Sequence, residues 1–121
     1  MALSKQDLIN GLDQFYGSDT TYYQPIYPKY RYTEGVKYLA ENAEAYWLLD
    51  YIFSNQLDTV IHAEGFQVWK IIVNADNSAV IRVEDGNKNE VKSFDLTFTD
   101  FPLKEYSLWF IGGTLLLPSE Y

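Results

Sequence analysis

The sequence predicts an α+β fold: N-terminal helices, one of them central and buried, packed on a C-terminal antiparallel β-meander of about four to five strands. Three observations carry that expectation. Apolar residues recur at helical spacing up to about residue 58, then at strand spacing from 64 to 118. Turn clusters at 74–78, 85–89 and Gly112-Gly113 punctuate the second half and leave its strands as hairpins. Hydrophobic residues make up 47% of the 121 and aromatics 17%, enough to build one core and far from the composition of a disordered chain. The expectation is a single domain over 1–121, mainly helical over 1–58 and mainly strand over 64–118.

Each element follows from local chemistry. Ser4 with Asp7 three residues on reads as a capping box, and Leu8, Leu12, Phe15 and Tyr16 follow at helical spacing until Gly17 stops the helix. Residues 18 to 32 interleave Tyr22, Tyr23, Tyr27, Tyr30 and Tyr32 with Pro25, Pro28, Lys29 and Arg31. The prolines forbid a continuous helix, so this stretch reads as an ordered aromatic loop with room for one short edge strand. Thr33 and Glu34 open a second helix through Val36, Leu39 and Ala40. A third, from Asn42 or Ala43 to near Gln56, carries one charge, Asp50, across Ala45–Phe53 and is expected to be buried on all sides.

Phe66–Val73 is rich in β-forming residues on both faces, which predicts a central strand covered on each side. Ala79–Glu84 alternates, with Ala79, Ile81 and Val83 inward and Arg82 and Glu84 outward. Val91–Phe98 alternates too, with Phe94, Leu96 and Phe98 inward. Leu108–Ile111 and Thr114–Leu117 flank the Gly112-Gly113 hairpin.

Composition narrows the function classes. Seventeen acidic against nine basic side chains give a formal charge of −8, which argues against direct nucleic-acid binding or an anionic membrane surface. The absence of cysteine removes disulfides, thiol catalysis and thiolate-bound metals, and a single histidine cannot make a His-rich metal site. No cofactor or metal is expected. Ala45–Phe53, the longest nearly uncharged apolar run, is too short for a bilayer, and the start shows no signal-peptide run. A cytoplasmic location is therefore expected.

Candidate site residues are few. No Gly-rich phosphate loop, nucleophile elbow, His-Glu-x-x-His or calcium loop occurs. His62 reads as a general base or as a surface histidine at the junction of the two halves. Asp50 reads as a perturbed acid in a pocket, paired with Lys37, Arg31 or a tyrosine hydroxyl, or as an acid at the solvent edge of its helix. Six of the eleven tyrosines lie between Tyr16 and Tyr32. Tyrosine buries much area with few rotors and keeps a polar tip, so Tyr22, Tyr23, Tyr27, Tyr30 and Tyr32, with Arg31 and Asp50, form the candidate binding set. Anchoring of the loop onto the helices is the competing explanation.

Five segments carry a resemblance: Thr33–Glu41, Ala45–Asp50, Phe66–Lys70, Phe98–Leu103 and Leu117–Tyr121. In this order, and from about Phe15 to the end, they are similar to a small bacterial family of unknown function met mostly on plasmids, phages and other mobile elements. That resemblance implies a genomic context and a complete single-domain protein, and it carries no residue role over to this chain. Where such relatives carry glycine after the Glu41-Asn42 position this chain has Ala43-Glu44, which favours a more continuous helix.

Two functions are compatible with these features. One is a non-catalytic module that binds another protein, with an acidic inhibitor of a host nucleic-acid-binding or defence protein as its narrower form. The other is a small enzyme or ligand-binding domain with a pocket around Asp50 and the tyrosine loop, to which Glu41 or His62 would contribute. An aromatic chain of this size also leaves room for a homodimer. The acidic excess discriminates weakly, because 1–60 holds eight acids and four bases and 61–121 nine and five.

Overall fold

A computed structural model describes residues 4–16, 20–24 and 29–121. The fold is α+β. Four helices, α1 (Lys5–Leu12), α2 (Glu34–Asn42), α3 (Tyr46–Ser54) and α4 (Thr59–His62), accompany seven strands. The strands are β1 (Thr21–Tyr23), β2 (Arg31–Thr33), β3 (Phe66–Val73), β4 (Ala79–Glu84), β5 (Glu90–Leu96), β6 (Glu105–Ile111) and β7 (Thr114–Leu116), in the order β1-β2-β7-β6-β3-β4-β5.

The C-terminal meander is present, but the sheet has seven strands rather than four to five, and it is mixed. The additional pair comes from the tyrosine stretch. β1 and β2 form a short antiparallel ribbon, and β2 joins the sheet by running parallel to β7, with Arg31 opposite Thr114 and Tyr32 opposite Leu115. Tyrosine and threonine favour the pleated, half-buried surface that these positions offer. Three-residue strands are too short to display a period of two, and so leave no local signature.

The helix ends follow their caps. Ser4 Oγ accepts the Asp7 N–H at 3.3 Å, and Thr33 Oγ1 accepts that of Val36 at 3.3 Å. α1 stops at Leu12, short of Phe15 and Tyr16, and the proposed stop at Gly17 lies outside the described residues. α2 and α3 are separate helices. Glu44 takes a left-handed backbone with φ of 53° between them, so Ala43-Glu44 breaks the chain instead of continuing the helix. α3 is amphipathic rather than buried all round. Leu48, Leu49, Ile52 and Phe53 are buried, while Tyr46 and Asp50 face solvent. Tyrosine counts as apolar in a periodicity, yet its hydroxyl is better left wet.

The helices cover one face of the sheet. Trp69 and Ile71 of β3, Ala79, Ile81 and Val83 of β4, and Leu108 and Phe110 of β6 are buried with the apolar faces of α1–α3. The opposite face of β3 (Phe66, Val68, Lys70, Ile72) is only half-buried, so among the described residues no full second layer covers this strand. Tyr121 packs on that face against Trp109 at 5.4 Å and Phe66 at 6.1 Å between ring centroids. Glu84 also belongs to it, yet is buried, with Lys70 at 3.3 Å from its carboxylate. Phe94 and Leu96 pack against the core, whereas Phe98 lies beyond the end of β5 and is 68% exposed, contrary to its expected inward position.

Two polar devices tie distant segments together. The side-chain amides of Gln56 and Gln67 pair both ways at 2.8 and 2.9 Å, and Trp69 Nε1 donates to Gln67 Oε1 at 2.9 Å. This pins the turn after α3 to β3 with its buried polar atoms satisfied. At the end of the chain, the buried Glu120 carboxylate accepts from the Thr33 hydroxyl at 2.6 Å, from Leu117 N–H at 2.9 Å and from Gly35 N–H at 3.2 Å. It thereby sits at the N-terminus of α2, where backbone N–H groups and the helix dipole favour a negative charge.

Candidate functional site

Alternation along the β1–β2 ribbon sorts the tyrosine set onto two sides. Tyr22 and Tyr32 lie opposite each other and stack with ring centroids 5.7 Å apart. Tyr23 and Arg31 are the next pair along, and the Arg31 guanidinium lies 5.7 Å from the Tyr23 ring. Tyr30 does something else. It is 6% exposed, stacked on Phe53 at 5.8 Å and edge-on to Phe110 at 5.5 Å, so it is a core residue. Tyr27 lies outside the described residues.

The helices complete the Tyr22–Tyr32 side. Lys37 of α2 places its ammonium 4.4 Å from the Tyr22 ring centre and reaches Glu41, one turn on, at 4.0 Å. Tyr46 at the start of α3 is 43% exposed. Burial raises the Tyr32 pKa, with Lys37 opposing and Glu41, Tyr22 and Asp50 adding to the shift. Burial followed by the charge of Glu41 raises that of Tyr46. Both phenols therefore remain neutral donors at physiological pH. The result is one face on which three tyrosine rings, one lysine and two carboxylates share an electrostatic environment.

Asp50 belongs to this face and is exposed, at the solvent edge of α3. Its Oδ1 accepts from Nε2 of the buried Gln24 at 2.9 Å, which links α3 to the end of β1. Of its anticipated partners, Lys37 forms its ion pair with Glu41, and Arg31 lies against Tyr23. His62 is exposed and far along the chain from this face. Its Nδ1 is 3.4 Å from Gln56 Oε1, and it borders a groove of about 200 Å³ with Glu64, Gln67 and the Gly112-Gly113 turn. Among the described residues, no group of three or more metal-donor side chains is placed to hold an ion. No helix among them is long and apolar enough to cross a membrane.

Tyr46 and Gln24 were missing from the candidate set. Tyr46 sits at the first turn of a strongly apolar helix, so its sequence context points inward. The available signal was the amphipathic character of tyrosine itself. Gln24 carries none, because its role exists only once β1 is laid beside α3.

Fold and site define a small α+β protein that presents a half-exposed, partly ionic tyrosine face. The chain belongs to a family of unknown function (DUF6876), whose model matches residues 6–121. Neither a curated protein nor a solved structure matches it.

Proposed function

We propose that this chain is a non-catalytic interaction module whose contact surface is the Tyr22–Tyr32–Tyr46 face, and that its partner is a protein presenting basic side chains there. One observation carries the reading: the Lys37 ammonium already sits over the Tyr22 ring at 4.4 Å. That position suits a cation, and an arginine or lysine from a partner would take it in exchange for Lys37. Glu41 is offset by its pair with Lys37, the exposed Asp50 leaves this face net negative, and the chain as a whole is at −8. Such complementarity contributes mainly to specificity and encounter rate. Rigid tyrosines supply contact area at low entropic cost.

The narrower form is an inhibitor of a host nucleic-acid-binding or defence protein. It rests on the acidic excess and on the resemblance to a small bacterial family of unknown function met mostly on mobile elements. The competing reading, a ligand-binding or catalytic pocket at Asp50, calls for a buried acid at a position that is solvent-exposed.

The test is affinity capture from a bacterial lysate with the parent chain and a Tyr22→Ser/Tyr46→Ser variant, circular dichroism establishing that both are folded. A protein retained by the parent, lost in the variant and displaced by added nucleic acid supports the inhibitor form. Identical retained proteins would remove the tyrosine face from consideration.

A further inference from the structure

We propose that the groove between α1 and the start of β6 binds a small organic carboxylate with an apolar body. It shares no residue with the tyrosine face. Its volume is about 580 Å³, within the range of pockets that hold small ligands. Leu12 and Leu103 are buried in its wall, and Pro118 closes one side. Ile9 also lines it and remains 37% exposed, although α1 turns Leu8 and Leu12 fully inward. An apolar side chain is thus left facing the groove.

The polar groups are the kind that recognise a carboxylate. Tyr106 is the first helix-facing residue of β6, one residue before the open-face Ser107, and its hydroxyl has no hydrogen-bond partner among the described residues. Burial raises its pKa, helped by the charges of Glu120 and Asp13, so the phenol is a protonated donor across the physiological range. Lys5 and Lys104 line this groove and also a second one of about 370 Å³. Among the described residues neither forms an ion pair, a state they share with Lys29, Arg31 and Lys88, whereas Lys37, Lys70, Arg82 and Lys92 are paired.

Two unpaired lysines and a neutral phenol around an apolar wall match a carboxylate, whose oxygens accept charge-assisted hydrogen bonds. Asp13 and Glu105 also line the groove, and Asp13 bears on the phenol, so two carboxylates stand beside the two lysines and a second negative charge on the ligand is disfavoured. A monocarboxylate fits this balance better than a phosphate or a dicarboxylate.

An amide NMR titration of the full chain tests the assignment, with phenylbutyrate, phenylbutylamine and phenylbutanol as matched probes. Phenylbutyrate is expected to shift the amides of Ile9, Leu12, Leu103, Lys104 and Tyr106 saturably, and to bind at least about fivefold more tightly than the amine or the alcohol. Lys5→Ala/Lys104→Ala should weaken the carboxylate about tenfold and leave the alcohol unaffected. Tyr106→Phe should weaken the carboxylate about threefold with the spectrum otherwise retained. Equal affinity for the three probes, shifts confined to other residues, or no saturable shift by about 20 mM phenylbutyrate would overturn the proposal.

Discussion

Tyr30 and Tyr46 illustrate how differently two tyrosines can be used in one chain. Tyr30 is packed between Phe53 and Phe110, and its truncation removes a buried ring that the surroundings cannot refill. Tyr30→Ala should cost about 3 kcal/mol in urea unfolding. Tyr46→Ala, at a position 43% exposed, should cost under about 1 kcal/mol and so be usable as a binding probe. A small effect of Tyr30→Ala would mean that the ring is not seated in the core. Titration supplies a second residue-scale prediction. Burial raises the pKa of Tyr106 above the ordinary 10.0, and those of Tyr32, Tyr46 and Tyr51 in the same direction. An unfolded phenol ionises near its ordinary value while the folded one keeps its proton. Stability is then fully present below about pH 10 and falls as pH rises past it. Urea midpoints measured between about pH 9 and 11 should show that decline, and Tyr106→Phe should make it shallower. An unchanged slope in the variant would show that Tyr106 ionises as freely folded as unfolded.

Among the elements, α2 is held from outside itself. Its first turn is satisfied locally by Thr33 and remotely by Glu120, and the chain end approaches so closely that Gly35 has no room for a side chain. A Cβ there would lie 2.6 Å from Leu117 Cδ1 and 2.7 Å from the Glu120 carboxyl carbon. Helix propensity alone would make Gly35→Ala stabilising by about 1 kcal/mol. Overpacking against a hydrogen-bonded carboxylate reverses the sign, and a net loss of about 1–2 kcal/mol is expected in denaturant unfolding. Glu120→Ala leaves the Thr33 hydroxyl and the Gly35 and Leu117 N–H groups without their acceptor and should cost about 3 kcal/mol. If Gly35→Ala proved stabilising, the contact between chain end and helix would be looser than described. The β1–β2 ribbon depends on a remote neighbour too, since β2 joins the sheet only through β7.

Over the whole molecule, what was legible in the sequence was what is local. The caps at Ser4 and Thr33, the turns at 74–78 and 85–89, the Gly112-Gly113 hairpin and the inward set Ala79, Ile81 and Val83 each depend on neighbours a few residues away. Non-local placement was not legible. The parallel pairing of β2 with β7, the burial of Tyr30 beside the half-exposed Tyr32, and the reach of Glu120 to α2 all require distant segments to meet first. Phe98 was misplaced because β5 ends two residues before it, so its alternating phase no longer reports a sheet face. For the site, tyrosine richness located the region but could not divide it. The division of Tyr22, Tyr32 and Tyr46 from Tyr30 follows from register and from the helices laid beside the ribbon.

The central claim is that the Tyr22–Tyr32–Tyr46 face is where a partner docks. Site-specific photo-crosslinking tests it most directly, with a benzophenone side chain at Tyr46 and a control at the exposed Val60 of α4. The account predicts that one partner protein is crosslinked from Tyr46 and not from Val60, through basic peptides, and that Tyr22→Ser abolishes the product. Crosslinking from Val60 alone, or equally from both positions, would contradict it.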